Sequence, residues 1–315
     1  MRGLILGLLA NLILAPTPAQ AEENSGWQPV YLPHSSQRDL HSRHTGKEYR
    51  IFVSEPRHAP PLGGYPVLYV LDGNALFPGL AIQAQALEDR PDRSLRDSIL
   101  VVGIGYPGDA LYNLKARAED YTPEVANRQR PPGRQSPSGG AEDFLVFIEH
   151  ELKPLIAQRY SINSQRQTLF GHSYGGLFTL YTLLTKPQAF QGYVVASPSI
   201  WWDKGYVERA LAAFERQLAD QPVGARLLVT AGGAEQPAAD TSTDDPRQLR
   251  IAERRMVDNA RDLIDRLQRL SGQGLHSEFQ LSPGANHGTN ASYSSIAAIA
   301  LAAAIGRQPS RDQND

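Results

Sequence analysis

Residues 171–175 read Gly-His-Ser-Tyr-Gly and follow a short apolar run at 168–170. They lead directly into a segment with leucine and phenylalanine at helical spacing. A Gly-x-Ser-x-Gly sequence between a strand and a helix predicts a turn so sharp that the serine side chain projects above the sheet. The glycines two residues to either side, Gly171 and Gly175, are expected to remove Cβ clashes at this strained turn. The pattern predicts Ser173 as a nucleophile, and the alternative is a serine in an ordinary glycine-rich turn.

Strand and helix patterns alternate on both sides of this turn. Continuous apolar runs at 66–71 and 99–104 suit strands that are buried on both faces of a mostly parallel sheet. Further strands are predicted at 49–53, 192–196, 226–230 and 276–281. Helices are predicted at 76–87, 141–157, 174–184, 207–218, 250–270 and 293–305. This alternation, with the serine turn, predicts an α/β-hydrolase fold with helices on both faces of a mostly parallel central sheet.

Two segments have the composition of loops. Residues 105–140 are rich in proline and arginine, and a long loop inside a compact domain is usually functional or disordered. We expect this loop near the active site. Residues 232–246 form the second loop, rich in alanine, aspartate and threonine. The helix predicted at 250–270 has an apolar face, so its many arginines are expected to form an ordinary solvated face rather than a binding patch.

The first residues have the pattern of a secretory signal. Residues 1–21 combine Arg2, an apolar stretch and a small-x-small cleavage site at 19–21. The apolar stretch is shorter than the roughly 20 residues that span a bilayer, although an uncleaved anchor is the alternative. We therefore expect a periplasmic protein, or else one released to the medium, with no stable membrane insertion after cleavage. One α/β-hydrolase domain is expected at 22–307, followed by a disordered tail at 308–315.

The composition argues against nucleic acid as a partner. The chain has 31 basic and 33 acidic residues, a formal net charge of -2, so it lacks the basic excess of a nucleic-acid-binding protein. It has no cysteine, so an exported form would depend on its core instead of disulfide bonds. With 41% hydrophobic residues, the chain has enough apolar side chains for a sizeable core.

A serine nucleophile at neutral pH needs a base, and in this fold the base follows the serine and the acid along the chain. Only His276 and His287 follow Ser173. His276 lies within a strand pattern, whereas His287 lies in a glycine-flanked loop after that strand, so His287 is the predicted base. His172 adjoins the nucleophile and is expected to be a packing residue or part of the pocket wall.

The acid of such a site should follow the strand at 226–230. Glu235 is the nearest carboxylate after that strand, and it would orient the imidazole and stabilise its charged form. Three aspartates, Asp240, Asp244 and Asp245, come later in the second loop. Asp258 falls within a helix pattern, where a surface position is expected. A Ser–His dyad without a close acid is also workable.

The developing oxyanion needs two backbone N–H donors. One is predicted at Tyr174, directly after the nucleophile. The other is predicted at Asn74, because a tight Asp72-Gly73 turn after the strand at 66–71 would aim its N–H inward. The alternative for Asp72-Gly73 is an ordinary turn.

These sequences carry a family resemblance. The quoted motifs are Val-Leu-Asp-Gly-Asn at 70–74, Gly-Tyr-Pro at 105–107, Arg-Ala-Glu-Asp-Tyr-Thr-Pro at 117–123, the serine turn at 171–176, Ser-Pro-Ser-Ile-Trp-Trp at 197–202 and Asn-His-Gly at 286–288. In this order they resemble the esterase D / enterochelin esterase family of α/β-hydrolases, and most of all its periplasmic ferric-siderophore esterases. The resemblance extends from about Glu48 to Ile305.

The resemblance implies a serine esterase that cuts the ester backbone of an enterobactin-like catecholate siderophore. It implies the same roles for the nucleophile, base and oxyanion donors, and it implies neither a metal nor an organic cofactor for catalysis. It also places Arg117 beside a polyanionic substrate, although Arg117 could instead pair with Asp120. Trp201 and Trp202 are expected to wall the pocket against aromatic rings, or else to lie in the core.

Two other readings share this scaffold. Fold and catalytic residues do not determine the substrate, so a general carboxylesterase, a feruloyl-type esterase or an acyltransferase is the alternative enzyme. A non-catalytic periplasmic siderophore-binding protein is the alternative outside enzymes, and the presence of both Ser173 and His287 argues against it.

Overall fold

The computed structural model describes residues 27–90, 98–124, 138–203, 205–237 and 244–306. The predicted signal at 1–21 and tail at 308–315 lie outside these residues, as do parts of the two predicted loops, 125–137 and 238–243. The chain divides into two units at Leu32/Pro33; of the first, only 27–32 are described, and they have no regular secondary structure. Within the described ranges, no helix is both long and apolar enough to cross a membrane.

An eight-stranded sheet forms the centre of the larger unit, counted over the described residues. The strands are β1 (Ser35–His41), β2 (Glu48–Ser54), β3 (Tyr65–Leu71), β4 (Leu100–Gly105), β5 (Ile162–His172), β6 (Gly192–Ala196), β7 (Ala225–Gly232) and β8 (Leu275–Ser282). Their spatial order is β1-β2-β4-β3-β5-β6-β7-β8. The β1–β2 and β2–β4 pairs are antiparallel, and the other neighbouring pairs are parallel. The predicted mostly parallel sheet is therefore confirmed.

The sequence did not predict β1. This strand reads Ser-Ser-Gln-Arg-Asp-Leu-His, and most of its residues are exposed. It lies at the edge of the sheet, where it pairs only with β2. An edge strand that is largely solvated needs no apolar run, so the signal that revealed the central strands is missing from it.

Helices cover both faces of the sheet, as predicted. They are α1 (Gly73–Glu88), α2 (Leu114–Asp120), α3 (Ala141–Phe147), α4 (Lys153–Arg159), α5 (Tyr174–Thr185), α6 (Tyr206–Asp220), α7 (Pro246–Glu253), α8 (Met256–Gln268) and α9 (His287–Ala304), and a π-helical turn, Ile148–Leu152, joins α3 to α4. Helices α1 and α9 pack against each other and against the sheet. On the other face, α5, α6 and α8 share one large core with the strands.

Two helices differ from the predictions because local caps and backbone turns override apolar periodicity. The predicted helix at 250–270 is two helices, since Arg255 adopts a left-handed conformation with φ 45° between α7 and α8. The Asp245 side chain accepts a hydrogen bond from the Arg247 N–H, and Pro246 follows it, so α7 begins earlier than the apolar pattern. Helix α2 lies inside the segment predicted as a loop at 105–140.

Helix α9 begins six residues before the predicted start at Tyr293. The Asn286 side chain accepts hydrogen bonds from the N–H groups of Gly288 and Thr289, both at 3.0 Å. This cap starts a helix whose first turn is polar and carries no apolar periodicity. His287 is consequently the first residue of a helix, and not a loop residue as predicted.

The turn between β5 and α5 has the strained backbone that the sequence predicts. Ser173 has φ 63° and ψ -115°, a conformation that a non-glycine residue rarely adopts. A Cβ on Gly171 would lie 2.2 Å from the Gly175 carbonyl oxygen, so only glycine fits there. On the helix side, however, the intolerant position is Gly176, where a Cβ would lie 2.7 Å from the Ala196 oxygen. At Gly175 the nearest atom would be 3.4 Å away, an ordinary contact.

His172, next to the nucleophile, joins this turn to the start of α9. It is buried, its Nε2 lies 2.8 Å from the His287 carbonyl oxygen, and the two rings are 4.6 Å apart. The carbonyl can only accept, so Nε2 carries the proton and donates. Burial, together with the neighbouring His287, lowers the pKa of His172 to about 3. The predicted packing role of His172 is confirmed.

The two neighbouring glycines should respond differently to one methyl group. Gly175→Ala should change the free energy of unfolding by less than about 1 kcal/mol, because alanine is the better helix former and fits. Gly176→Ala should lower it by about 2 kcal/mol, because backbone must move to admit the Cβ. Urea unfolding at neutral pH measures both. Equal midpoints for the two variants would contradict this account of the turn.

His172 should also make stability depend on pH. In the unfolded chain this histidine is protonated below its pKa near 6.5, whereas in the folded protein it stays neutral down to about pH 3. The contribution of neutral His172 to the free energy of unfolding is therefore present above pH 6.5. It is lost as the pH falls, by about 2 kcal/mol between pH 7 and pH 5. His172→Gln removes this titration and keeps a donor. Urea unfolding at both pH values should show a smaller loss for the variant, and parallel losses would refute the assignment.

Candidate active site

Three side chains meet where the parallel strands end. Ser173 follows β5, Glu235 ends a short 3-10 turn after β7, and His287 opens α9 after β8. Carboxyl ends of parallel strands share one edge of a sheet, so distant parts of the chain come together there. The Ser173 Oγ lies 3.0 Å from His287 Nε2, and His287 Nδ1 lies 2.7 Å from Glu235 Oε2. The structure thus joins the three predicted residues in one hydrogen-bonded chain.

Glu235 is held as a carboxylate although it is buried. Its side chain is 1% exposed, against 44% for His287. Burial raises its pKa, but hydrogen bonds from His287, from the Ser197 hydroxyl and from the Gly232 N–H together bring the pKa below its usual value. Such a carboxylate fixes the ring orientation of His287 and favours the tautomer with the proton on Nδ1.

The residues that hold Glu235 were not predicted as site residues. The Ser197 hydroxyl donates to Glu235 Oε1 at 2.5 Å and accepts from the Asn290 side-chain nitrogen at 2.8 Å. Asn290 lies one turn after His287 on α9, so one helix carries both the imidazole and part of its support. Ser197 lies in the Ser-Pro-Ser motif, which the family resemblance marked without giving it a role. Asn290 carries no signal in the sequence beyond its spacing from His287.

Both predicted oxyanion donors lie in the first turn of a helix. Tyr174 is the first residue of α5 and Asn74 is the second residue of α1. N–H groups at these positions have no carbonyl four residues earlier within their helix. The Asn74 side chain bridges to the next strand end, donating to the Tyr106 carbonyl at 2.9 Å and accepting from its N–H at 2.8 Å. This bridge fixes the turn that carries the Asn74 N–H.

Arg117 has a different partner from the one considered. It donates two hydrogen bonds to the Asp72 carboxylate, both at 2.9 Å, and both side chains are buried. Asp120 instead pairs with Lys47. Burial lowers the pKa of Arg117, but the Asp72 carboxylate raises it by more, so the guanidinium stays charged. Arg117 still lines the cavity above Ser173.

The two tryptophans lie in different environments. Trp201 lines the cavity, with its ring 6.5 Å from that of Tyr174 and 4.6 Å from the Arg254 guanidinium. Trp202 is 7% exposed, belongs to the hydrophobic core and packs edge-on against Tyr206. The substrate-binding prediction for Trp202 is therefore wrong. Adjacent residues in the short 3-10 turn Ile200–Trp202 point in different directions, so only one of them reaches the cavity.

A cavity of about 570 Å³ opens over Ser173 and His287, and arginines line much of it. They are Arg117, Arg247, Arg250 and Arg254; Arg247 and Arg250 lie in α7, and Arg254 is its C-cap residue. The expectation that arginines around 250–270 form an ordinary solvated face is wrong for Arg250 and Arg254. The break at Arg255 separates α7 from α8 and leaves α7 beside the cavity instead of extending the solvated face of a single long helix.

The other candidate acids and bases lie elsewhere. His276 is exposed on β8. Asp245 caps α7. Asp258 lies on α8 and accepts a hydrogen bond from the Gln236 side chain. Asp240 lies outside the described residues. Across the part of the chain that the structure describes, no three histidine, aspartate or glutamate side chains are grouped so that they could hold a metal ion.

Comparisons with known proteins agree with this geometry. The model of the Putative esterase family matches residues 42–280. The chain is 39% identical over 262 residues to the ferri-bacillibactin esterase BesA of Bacillus subtilis, covering 81% of this chain and 85% of that protein. It is 36% identical over 165 residues to the apo-salmochelin esterase of Escherichia coli, covering 51% and 49%.

Solved structures give the same result for the fold. The BES protein from Bacillus cereus superposes with a TM-score of 0.77 at 32% identity, over 88% of this chain and 98% of that one. The resemblance to the enterochelin esterases and the predicted fold class are both confirmed. The chain belongs to the Putative esterase family, and it is a serine hydrolase of carboxylic esters with the α/β-hydrolase fold.

Proposed function

We propose that Ser173, His287 and Glu235 form the catalytic triad of this esterase. His287 Nε2 takes the proton of the Ser173 hydroxyl as Oγ attacks the ester carbonyl carbon. The Tyr174 and Asn74 N–H groups then donate to the oxyanion of the tetrahedral intermediate. The intermediate collapses when His287 returns the proton to the departing alkoxide oxygen. This leaves an acyl group on Ser173, and water activated by His287 hydrolyses it in the second half of the reaction.

The substrate that we propose is the ester backbone of a catecholate siderophore of the enterobactin type. The single observation that carries this proposal is the hydrogen-bonded triad opening into a cavity with four arginines and Trp201. Arginines attract a polyanion and aromatic side chains pack against catechol rings. The relatives named above act on bacillibactin and salmochelin, according to their names, one in its ferric and the other in its iron-free form.

We place this hydrolysis in the periplasm. The support is the signal pattern at 1–21. Iron would arrive with the substrate and leave after the backbone is cut, so it is cargo and not a resident cofactor. Cutting the backbone weakens the chelate, because the three catechols lose the linkage that holds them near one ion.

Removal of the triad members should separate a triad from a dyad. Ser173→Ala should lower kcat/KM for an aryl ester by about 10³-fold or more, because no other nucleophile remains. Glu235→Gln should lower kcat by about 10²- to 10⁴-fold, because the amide favours the wrong His287 tautomer. Stopped-flow or steady-state assays with p-nitrophenyl esters measure both, with fluorophosphonate labelling of Ser173 as a direct readout.

His276→Ala is the matched control, since it removes the other histidine after Ser173 and should leave kcat unchanged. Thermal unfolding of each variant distinguishes catalysis from folding. A Glu235→Gln variant that retains full kcat would reject the triad and favour a Ser–His dyad. An unlabelled Ser173 in folded protein would reject the nucleophile.

The substrate is tested by direct hydrolysis. Purified protein should release dihydroxybenzoyl-serine products from enterobactin, followed by chromatography, and it should do so with higher kcat/KM than for p-nitrophenyl acetate or ethyl ferulate. The catechol rings of a siderophore contact the aromatic wall of the cavity, and the ferric form also contacts its positive charge; the small esters do neither. Turnover of the small esters with no cleavage of enterobactin, iron-loaded or iron-free, would reject the siderophore as substrate and favour a general carboxylesterase.

A further inference from the structure

Two arginines of α7, with the arginine that caps its C-terminus, form one face of this short helix beside the cavity. Arg247, Arg250 and Arg254 are spaced three and four residues apart, which places them on the same side of a helix. None of the residues of α7 is buried. The three residues nevertheless line the same cavity as Ser173 and His287. We call this surface the α7 arginine face.

Over the described residues, the α7 arginine face has no carboxylate in an ion pair with it. Among the described residues, no carboxylate lies within ion-pair distance of these arginines, whereas Arg255 pairs with Asp258 and Asp262 just beyond α7. Arg254 rests over the Trp201 ring at 4.6 Å, a contact that keeps its charge and orients it along the cavity wall. Arg117 is also charged, but its guanidinium is engaged by Asp72.

Helix stability alone does not account for this arrangement. Like charges three and four residues apart repel each other, and only an arginine in the last turn gains from the helix dipole. The chain as a whole is net negative, so the cluster is local and runs against the average charge. An anion inside the cavity would relieve the repulsion and would be attracted most strongly where the walls exclude water.

The proposed substrate changes its charge when it binds iron. A metal-free catechol keeps its protons at neutral pH, whereas a ferric tris-catecholate has lost all of them and is a trianion overall. We propose that the α7 arginine face recognises this charge and makes the enzyme select the iron-loaded siderophore over the iron-free form. This inference rests on the proposed function and adds which form of the substrate the site takes and which residues decide it.

The variant Arg247→Gln, Arg250→Gln, Arg254→Gln removes the charge from exposed positions and keeps good helix formers. Its kcat/KM for ferric enterobactin should fall by about 10- to 100-fold at low salt, and by less at high salt, because exposed charges are screened. Its kcat/KM for iron-free enterobactin should change by less than about 3-fold. The corresponding triple lysine variant should keep most of the preference for the ferric form, since it keeps the charge.

The matched control changes three exposed arginines outside the cavity: Arg216→Gln, Arg261→Gln and Arg269→Gln. It alters the net charge equally and should leave the ferric preference unchanged. Equal losses for the two siderophore forms in the α7 variant, or equal effects of the α7 and control variants, would overturn the inference. Circular dichroism of each variant confirms that the helices are intact.

A binding measurement makes the inference independent of turnover. In the Ser173→Ala background, tryptophan fluorescence is titrated with an amide-linked tris-catechol that has no ester, as its gallium complex and metal-free. The gallium complex should bind more tightly, and the α7 substitutions should remove that difference. An undiminished difference would overturn the role of α7 even if hydrolysis proceeds. Failure of the unaltered enzyme to cleave either siderophore would instead reject the proposed function, whatever the titration shows.

Discussion

The backbone of Ser173 is the constraint around which this edge of the molecule is built. Its conformation, with a positive φ, is unfavourable for any residue with a Cβ, so the surroundings must hold it. The Ser173 N–H donates to the Ala196 carbonyl on the next strand, and its own carbonyl accepts from the Leu177 and Ser199 N–H groups. Close approach of Gly176 to Ala196 makes this possible. The strain is thus offset by backbone hydrogen bonds that only a glycine at 176 permits.

A second constraint is the burial of a carboxylate beside that turn. Glu235 needs several donors to remain charged away from water. Gly232, Ser197 and His287 supply them, and Asn290 completes the network by donating to Ser197. These hydrogen bonds hold the acid in one orientation without any substrate bound. A preorganised carboxylate lets the imidazolium form without reorganising its surroundings, which is the electrostatic advantage of a triad over a dyad.

Local signals in the sequence revealed the parts of the site that depend on local geometry. Ser173 lies in a turn with its own glycine pattern, and Glu235 is the first carboxylate after a clear strand. Trp202 and the α7 arginines depend on where side chains point in three dimensions. A pair of adjacent tryptophans gives no indication of which one is buried, and the single left-handed residue Arg255 redirects two helices that look continuous. Apolar periodicity carries no information about either event.

Arg117 and the α7 arginines show how one charge type serves two purposes in the same cavity. Arg117 is buried, donates both hydrogen bonds to Asp72 and lies 3.5 Å from the His172 carbonyl, so it connects the turn before Asn74 with the turn before Ser173. Breaking a buried pair of this kind costs about 3–5 kcal/mol, so Arg117 is not free to follow a substrate. The exposed arginines of α7 are not part of a buried ion pair of this kind. Under the proposed function, geometry at the reacting atoms and attraction of the substrate are therefore assigned to different arginines, and the second can change without disturbing the first.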